Sequence, residues 1–450
     1  MSIAREFGEF TASLNYEGIP ERVRTLAKYC FLDWLASVYA GSREEPVRMM
    51  LEVVRAMPGK PECTVIPDGS RNISLLAAMI NGASSHMVEM DDLHRASIFH
   101  PAAPIVPSAL AVAEREKRSG RELIAAVVVG YEVGIRIAEM VGTSHYHFWH
   151  TTATCGTFGA AVAAGKLLSL NPQQIVWALG SAGTQASGLW EFLTESAMSK
   201  QLHPGKAALN GILAALLAQQ GFTGAEQIFE GEKGFCKATS SDYDLHRVTD
   251  RLGEDYHMEG NSFKFHASCG HTHSALDAVF ILRGEAGVTP EAIEKVTVKL
   301  YSAAVDLLGN VPLTRPYIAK FHVPFCIATA LKFGQVGLEA FTEERLKNGD
   351  LRELMKRVEL VRDGALDEEY PEKWGAIVEI LTKDGRLHSR KVEYPKGDPQ
   401  NPLSRQEFSE KFLSLTEGML PAQKSESLLE RISRLEEVER VDQLFVPFDS

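Results

Sequence analysis

No stretch of eighteen or more apolar residues occurs in this chain, and its N-terminal MSIAREFGEF has no apolar signal-peptide core. The sequence thus points to neither membrane insertion nor secretion and reads as cytoplasmic. Cysteine is sparse: Cys30, Cys63, Cys155, Cys236, Cys269 and Cys326 lie far apart and form no Cys-x-x-Cys. That excludes a zinc ribbon, a thioredoxin-type motif and a disulfide scaffold, and leaves reduced, buried thiols as the expectation. Basic runs with interleaved aromatics are missing, and a formal net charge of −12 disfavours nucleic acid as a partner. There is no Gly-x-Gly-x-x-Gly after a strand, no Walker-type loop and no Gly-x-Ser-x-Gly elbow, so neither a nucleotide cofactor nor serine hydrolysis is indicated. The chemistry is expected to need little beyond side chains. An acidic chain that binds an anion must concentrate its few cations in one pocket.

What is present is material for a large core: 450 residues, 45% of them hydrophobic, enough for two domains. From Pro20 to Gly41 the apolar residues Val23, Leu26, Ala27, Cys30, Phe31, Trp34, Leu35 and Val38 recur at helical spacing, with proline at the start and glycine at the end. Similar patterns at 72–86, 105–118, 121–141, 155–169, 173–183 and 204–220 are rich in Ala and Gly. The prediction is a mainly α protein: a large all-helical domain over 1–262, completed by C-terminal helices within 401–450, and a smaller α+β domain over 263–400. In the latter, EKVTVKLYS alternates as a strand, and WGAIVEILTKDGRLHSRKVEY reads as a hairpin around Lys-Asp-Gly. Ser404 and Glu407 form a capping-box pattern where helix resumes.

Four stretches carry candidate chemistry. In HMVEMDDLHRASIFHPAAPIVP, Glu89, Asp91 and Asp92 precede His94 and His100. Either they are solvated carboxylates at a helix end, or one holds an imidazole in a single tautomer and raises its basicity for proton transfer. In HYHFWHTTATCG, His145 and His147 are read as capping or packing residues rather than a metal pair, because no third ligand follows at a familiar spacing. His150 stands at the mouth of a helix whose first turns, from Thr151 to Gly156, have little bulk, so it can face an anion docked on the free N–H groups. SAMSKQLHPGKAALNG places Lys200, His203 and Lys206 around a Pro-Gly turn before a helix, where lysine is either solvated or, since it opposes the helix dipole, functional. FKFHASCGHTHSALD groups Lys264, His266, Cys269, His271 and His273 at the domain boundary; a zinc site there would need a fourth ligand that the sequence does not name.

Taken together, EMDDLHRASIFHPAAPIVP, HTTATCGTFGAA, SKQLHPGKAALNGILAALLAQQGFTG and FKFHASCGHTHSALDA resemble the MmgE/PrpD family over about residues 15–420. That family includes 2-methylcitrate dehydratase, cis-aconitate decarboxylase and iminodisuccinate epimerase. The resemblance implies a helical domain with a smaller α+β lid domain, a homodimer and no cofactor; the ligand spacings above give no metal site. It places active-site positions on Glu89, Asp91, His100, His150, Lys200 and Lys264. Glu89 stands where the family more often has Asp, and AKFHVPFCIATAL puts Phe325 where the decarboxylases carry a tyrosine.

The three reactions share negative charge developing at a carbon beside a carboxylate, which calls for fixed cations and a base of near-neutral pKa. The expected roles are proton shuttling by His100 and His150, with Glu89 or Asp91 orienting His100. Carboxylate binding falls to Lys200, Lys264 and the helix start at Thr151, with His203, Lys206, Cys269 and His271 lining the site. Dehydration of a 2-methylcitrate-like hydroxytricarboxylate is the first expectation, epimerisation or decarboxylation the alternative, and non-catalytic polycarboxylate binding the reading from a different class.

Overall fold

The computed structural model describes residues 1–195, 197–246 and 248–445. Ser196, at the head of the Lys200 stretch, and residues 446–450, in the C-terminal helical segment, lie outside the described residues. The fold is mainly α, and the chain divides into two compact units. One comprises Met1–Met87, Asp91–Asn261 and Ser404–Ser450; the other Val88–Met90 and Ser262–Leu403.

The helical unit is built around Thr151–Leu167, of which every residue except Lys166 is buried. Its side chains are almost all small, so it has no polar face to show water, and helices Ala102–Arg115, Gly120–Phe148, Pro172–Gly183 and Ser199–Gln219 pack around it. Helix Gly120–Phe148 runs past the predicted end at 141: Gly142 takes φ 69, ψ −171, and a short helical stub carrying His145 and His147 continues beyond the kink. Asp242 caps that stub, accepting from the Ser144 N–H and the Thr143 hydroxyl.

Helix Ser199–Gln219 corrects the predicted turn. Pro204 and Gly205 lie inside the helix, so Lys200, His203 and Lys206 are all helical. Pro-Gly is used here for its small profile: a Cβ on Gly205 would sit 2.2 Å from the carbonyl oxygen of Met79 in the neighbouring helix Ser74–Ser85. Helices Arg405–Thr416, opened by the expected Ser404/Glu407 capping box, and Ala422–Ser433 belong to this unit too.

The smaller unit holds a four-stranded sheet. Ile293–Leu300 pairs in parallel with Val358–Arg362 and antiparallel with Ala376–Thr382, which forms the hairpin with Leu387–Val392. Ala376–Thr382 alternates buried and half-buried residues, and helix His273–Ala286 covers the sheet. Among the described residues no helix is long and apolar enough to cross a membrane. All six cysteines are buried free thiols.

Candidate active site

In the helical unit, side chains from four separate segments form one buried cluster. His86 caps the C-terminal end of helix Ser74–Ser85. Asp91 and His100 come from the loop that follows, His150 is the N-cap residue of the central helix, and Lys200 and His203 lie in the first turns of Ser199–Gln219. His86 Nδ1 is 2.6 Å from Asp91 Oδ2, with both side chains inaccessible to solvent. The same oxygen is 3.4 Å from His100 Nδ1. The His86 ring lies 4.8 Å from that of His100 and 5.5 Å from that of His150, and His150 is 5.3 Å from His203. Trp190 closes the far side of His150 at 4.8 Å.

Tautomers follow from these contacts. His100 Nδ1 lies 2.7 Å from the backbone oxygen of Asp92, which can only accept, so the proton sits on Nδ1 and Nε2 is the basic nitrogen. The His100 backbone N–H donates to Thr152 Oγ1 at 3.2 Å, which ties the loop to the central helix. His150 makes no side-chain capping bond; its Nδ1 is turned instead to His203 Nδ1 at 3.1 Å. Its backbone N–H donates to the oxygen of Gly188 at 2.9 Å.

The carboxylates are not solvated. Asp91 and Asp92 are fully buried. Asp92 Oδ2 accepts from Tyr131 Oη at 2.7 Å and Asn261 Nδ2 at 2.8 Å, and Oδ1 from the Ala102 N–H at 3.0 Å. Burial pushes the Asp92 carboxyl up to about 7, opposed by the Tyr131 hydrogen bond and reinforced by the negative charges of Asp33 and Asp91. Burial drives His150 well below 6.5, and repulsion from the neighbouring basic groups His203, His86, Lys200 and His100 opposes a proton there further. His203 is held down at about 3 by burial, then by Lys206, His86 and Lys200. Both imidazoles are therefore neutral at pH 7, the form that accepts a proton.

His86, Asp91 and His100 are the group among the described residues whose ligand-type atoms fall within 4.8 Å of one another. Their geometry is that of a His86–Asp91 hydrogen bond with His100 alongside, 3.4 Å from the same carboxylate oxygen. A 2.6 Å separation is well short of the roughly 3.4 Å between neighbouring ligands of a tetrahedral zinc ion, and His100 Nδ1 is already bonded to a carbonyl.

Other predicted residues have different surroundings. Thr151 donates its hydroxyl to the oxygen of Ile98. Lys206 is half-buried in the helix rather than in a loop, and its Nζ donates to the Ser187 oxygen at 2.7 Å. His145 Nε2 lies 2.8 Å from Thr154 Oγ1, a packing role, whereas His147 is exposed.

Glu89 and Lys264 belong to the smaller unit. There Glu89, at a left-handed φ of 56°, accepts from Lys264 Nζ at 2.9 Å and Tyr317 Oη at 3.0 Å. The carboxylate beside His100 is thus Asp91, while the Glu89 oxygens are turned to Lys264 and Tyr317. His271 bonds Tyr301 Oη and stacks on Trp374 at 4.0 Å, and His273 Nε2 faces the Ser268 oxygen at 3.2 Å. Cys269 is buried, its N–H on the Lys320 oxygen at 3.0 Å. His271 Nδ1 and His273 Nε2 thus face different partners, and among the described residues the ligand atoms of Cys269, His271 and His273 do not converge as those of His86, Asp91 and His100 do. Phe325 is buried in helix Val323–Phe333 against Phe341. His86, Trp190 and Tyr317 were not foreseen.

Comparison with known proteins matches residues 5–248 to the MmgE/PrpD N-terminal domain and residues 266–437 to the MmgE/PrpD C-terminal domain. The chain is 29% identical to a cis-aconitate decarboxylase of Aspergillus terreus, over 92% of this chain and 89% of that protein. It is 28% identical to a cis-aconitate decarboxylase-like protein of Aspergillus oryzae, over 98% and 96%. Identity to the human cis-aconitate decarboxylase is 26%, over 97% and 92%.

Proposed function

Because the chain belongs to the MmgE/PrpD family of enzymes, we propose that it is a cofactor-independent lyase that dehydrates a 2-methylcitrate-like hydroxytricarboxylate. The observation that carries this reading is the buried cluster in which His86 and His100 flank Asp91 and the His86 ring adjoins that of His150, itself beside His203, with Lys200 close enough to depress the last two imidazoles. Lys200 receives a substrate carboxylate. His100, its Nδ1 proton held by the Asp92 oxygen, takes a proton at Nε2 from the carbon beside a carboxylate. The hydroxyl on the next carbon leaves as water after accepting a proton from the His150–His203 pair, which the negative charge of bound substrate makes easier to protonate. One base and one acid in reach of adjacent atoms contribute about 10²–10⁴-fold each.

A second reading, decarboxylation of a cis-aconitate-like tricarboxylate, is favoured by the names of the relatives. In that case CO2 departs and the same acid protonates the carbon left behind. Against it stands Phe325, an apolar core residue with no hydroxyl to offer at the position where the family resemblance implies a tyrosine in the decarboxylases. Proton NMR in D2O with 2-methylcitrate, cis-aconitate and iminodisuccinate separates the readings. Dehydration gives alkene signals from 2-methylcitrate, and decarboxylation gives a new methylene pair from cis-aconitate. Deuterium uptake without change of skeleton marks an epimerase, and affinity without any turnover a binding protein.

A further inference from the structure

His86 has no part in the steps above, although it joins Asp91 to both the His100 and the His150 rings. Its Nδ1 is 2.6 Å from Asp91, its ring meets both His100 and His150, and its Nε2, buried from solvent, hydrogen-bonds no described residue. A carboxylate at Nδ1 fixes the proton there and leaves the lone pair on Nε2. The other three imidazoles lack this arrangement: His100 Nδ1 donates to a neutral carbonyl at 2.7 Å and lies farther, at 3.4 Å, from Asp91, while His150 and His203 face each other. An imidazolium formed at His86 is therefore paired with a negative partner as soon as it forms.

The groups that bear on His86 are Asp91, His100 and His150 in contact with it and His203 through charge, while Lys200 acts on His150 and His203 beside it. All the basic members gain from a second negative charge in their midst. We propose that when a polycarboxylate binds, His86 takes up a proton at Nε2 and becomes an imidazolium paired with Asp91, a fixed cation between His100 and His150. His86 is thereby a positioning residue, acting through its neighbours. The inference rests on the reading above for the class of ligand.

Tricarballylate, a tricarboxylate with no hydroxyl to eliminate and no double bond, is the probe. Calorimetric titrations of the full-length protein at pH 7, in buffers of different ionisation enthalpy, count the protons bound with it. The expected result is uptake of about one proton per tricarballylate in the native protein, cut by at least half in His86→Gln with binding retained. In protein labelled with ¹⁵N-histidine, the ring assigned to His86 by that variant passes from one to two protonated nitrogens on saturation. Binding without uptake, or uptake undiminished in His86→Gln, overturns the inference and leaves the polycarboxylate site standing. Failure of the native protein to bind any tricarballylate overturns both. If His86→Gln does not fold, Asp91→Asn takes its place: loss of the counter-charge must abolish the uptake, and its persistence refutes the pairing.

Discussion

His150 Nδ1 lies 3.1 Å from His203 Nδ1, an approach open to two imidazoles only if one Nδ1 carries a proton and the other does not. Both rings are depressed below the ordinary 6.5, chiefly by burial, His203 to about 3. The unfolded chain then binds protons at these residues that the folded one refuses. Stability from this pair is present above about 6.5 and is lost progressively as pH falls toward about 3. Urea denaturation between pH 8 and pH 4.5 is expected to show a falling midpoint, with a shallower fall in His203→Gln. An equal slope in both proteins would remove His203 as its source.

Replacing His150 by glutamine keeps a polar side chain of similar length but no group that titrates. The prediction is a loss of at least about a hundredfold in kcat on the substrate identified by NMR, with circular dichroism unchanged. Activity within a few-fold of native would show that His203 or His100 carries the proton alone.

Lys200 is assigned two effects that separate in the kinetics. Its ammonium binds a carboxylate, so Lys200→Met is expected to raise KM by about 10- to 100-fold, the worth of a charge-assisted hydrogen bond. The same charge lowers His150 and His203, so its removal shifts the acid limb of the kcat/KM profile to higher pH. A KM effect without the shift would place the ammonium on the substrate but electrostatically remote from the imidazoles.

The helices were legible because apolar periodicity and Pro/Gly punctuation coincide from Pro20 to Gly41 and again along the Ala-rich stretches. His100, His150 and Lys200 were legible because each stands at the entry to a small-residue helix. His86 was not. Asp91 follows it at the fifth position, no known ligand or dyad spacing, and between them the backbone turns left-handed at Glu89, a bend that no glycine announces. Strand Val358–Arg362 was missed because its residues are half-buried or exposed and give no alternation. The Pro-Gly signal misled in the opposite direction: helix contact at Gly205, a long-range fact, overrode its local preference for a turn.

Metal-free acid–base chemistry makes its own prediction. With His86 hydrogen-bonded to Asp91, His100 Nδ1 bonded to the Asp92 oxygen, and His271 Nδ1 and His273 Nε2 turned to separate partners, exhaustive chelation is expected to leave turnover unchanged. Loss of activity on chelation, restored by zinc, would show that one of these groups rearranges around an ion.

Gly188 tests whether the placing of His150, and not its mere presence, sets the rate. The Gly188 oxygen accepts the His150 backbone N–H at 2.9 Å, so the two chain segments move together. At Gly188 φ is 152°, and a Cβ there would lie 2.4 Å from Ala153 Cβ and 3.3 Å from His203 Nδ1. Neither Ala153, in the first turn of the buried central helix, nor the imidazole pair can give way without shifting the cluster. Gly188→Ala is therefore expected to lower kcat by at least about tenfold, since small misplacements of reacting groups are costly, while the melting temperature falls by only a few degrees. Native turnover in this variant, with the same thermal shift, would mean that the loop yields alone and that His150 is positioned by its own helix.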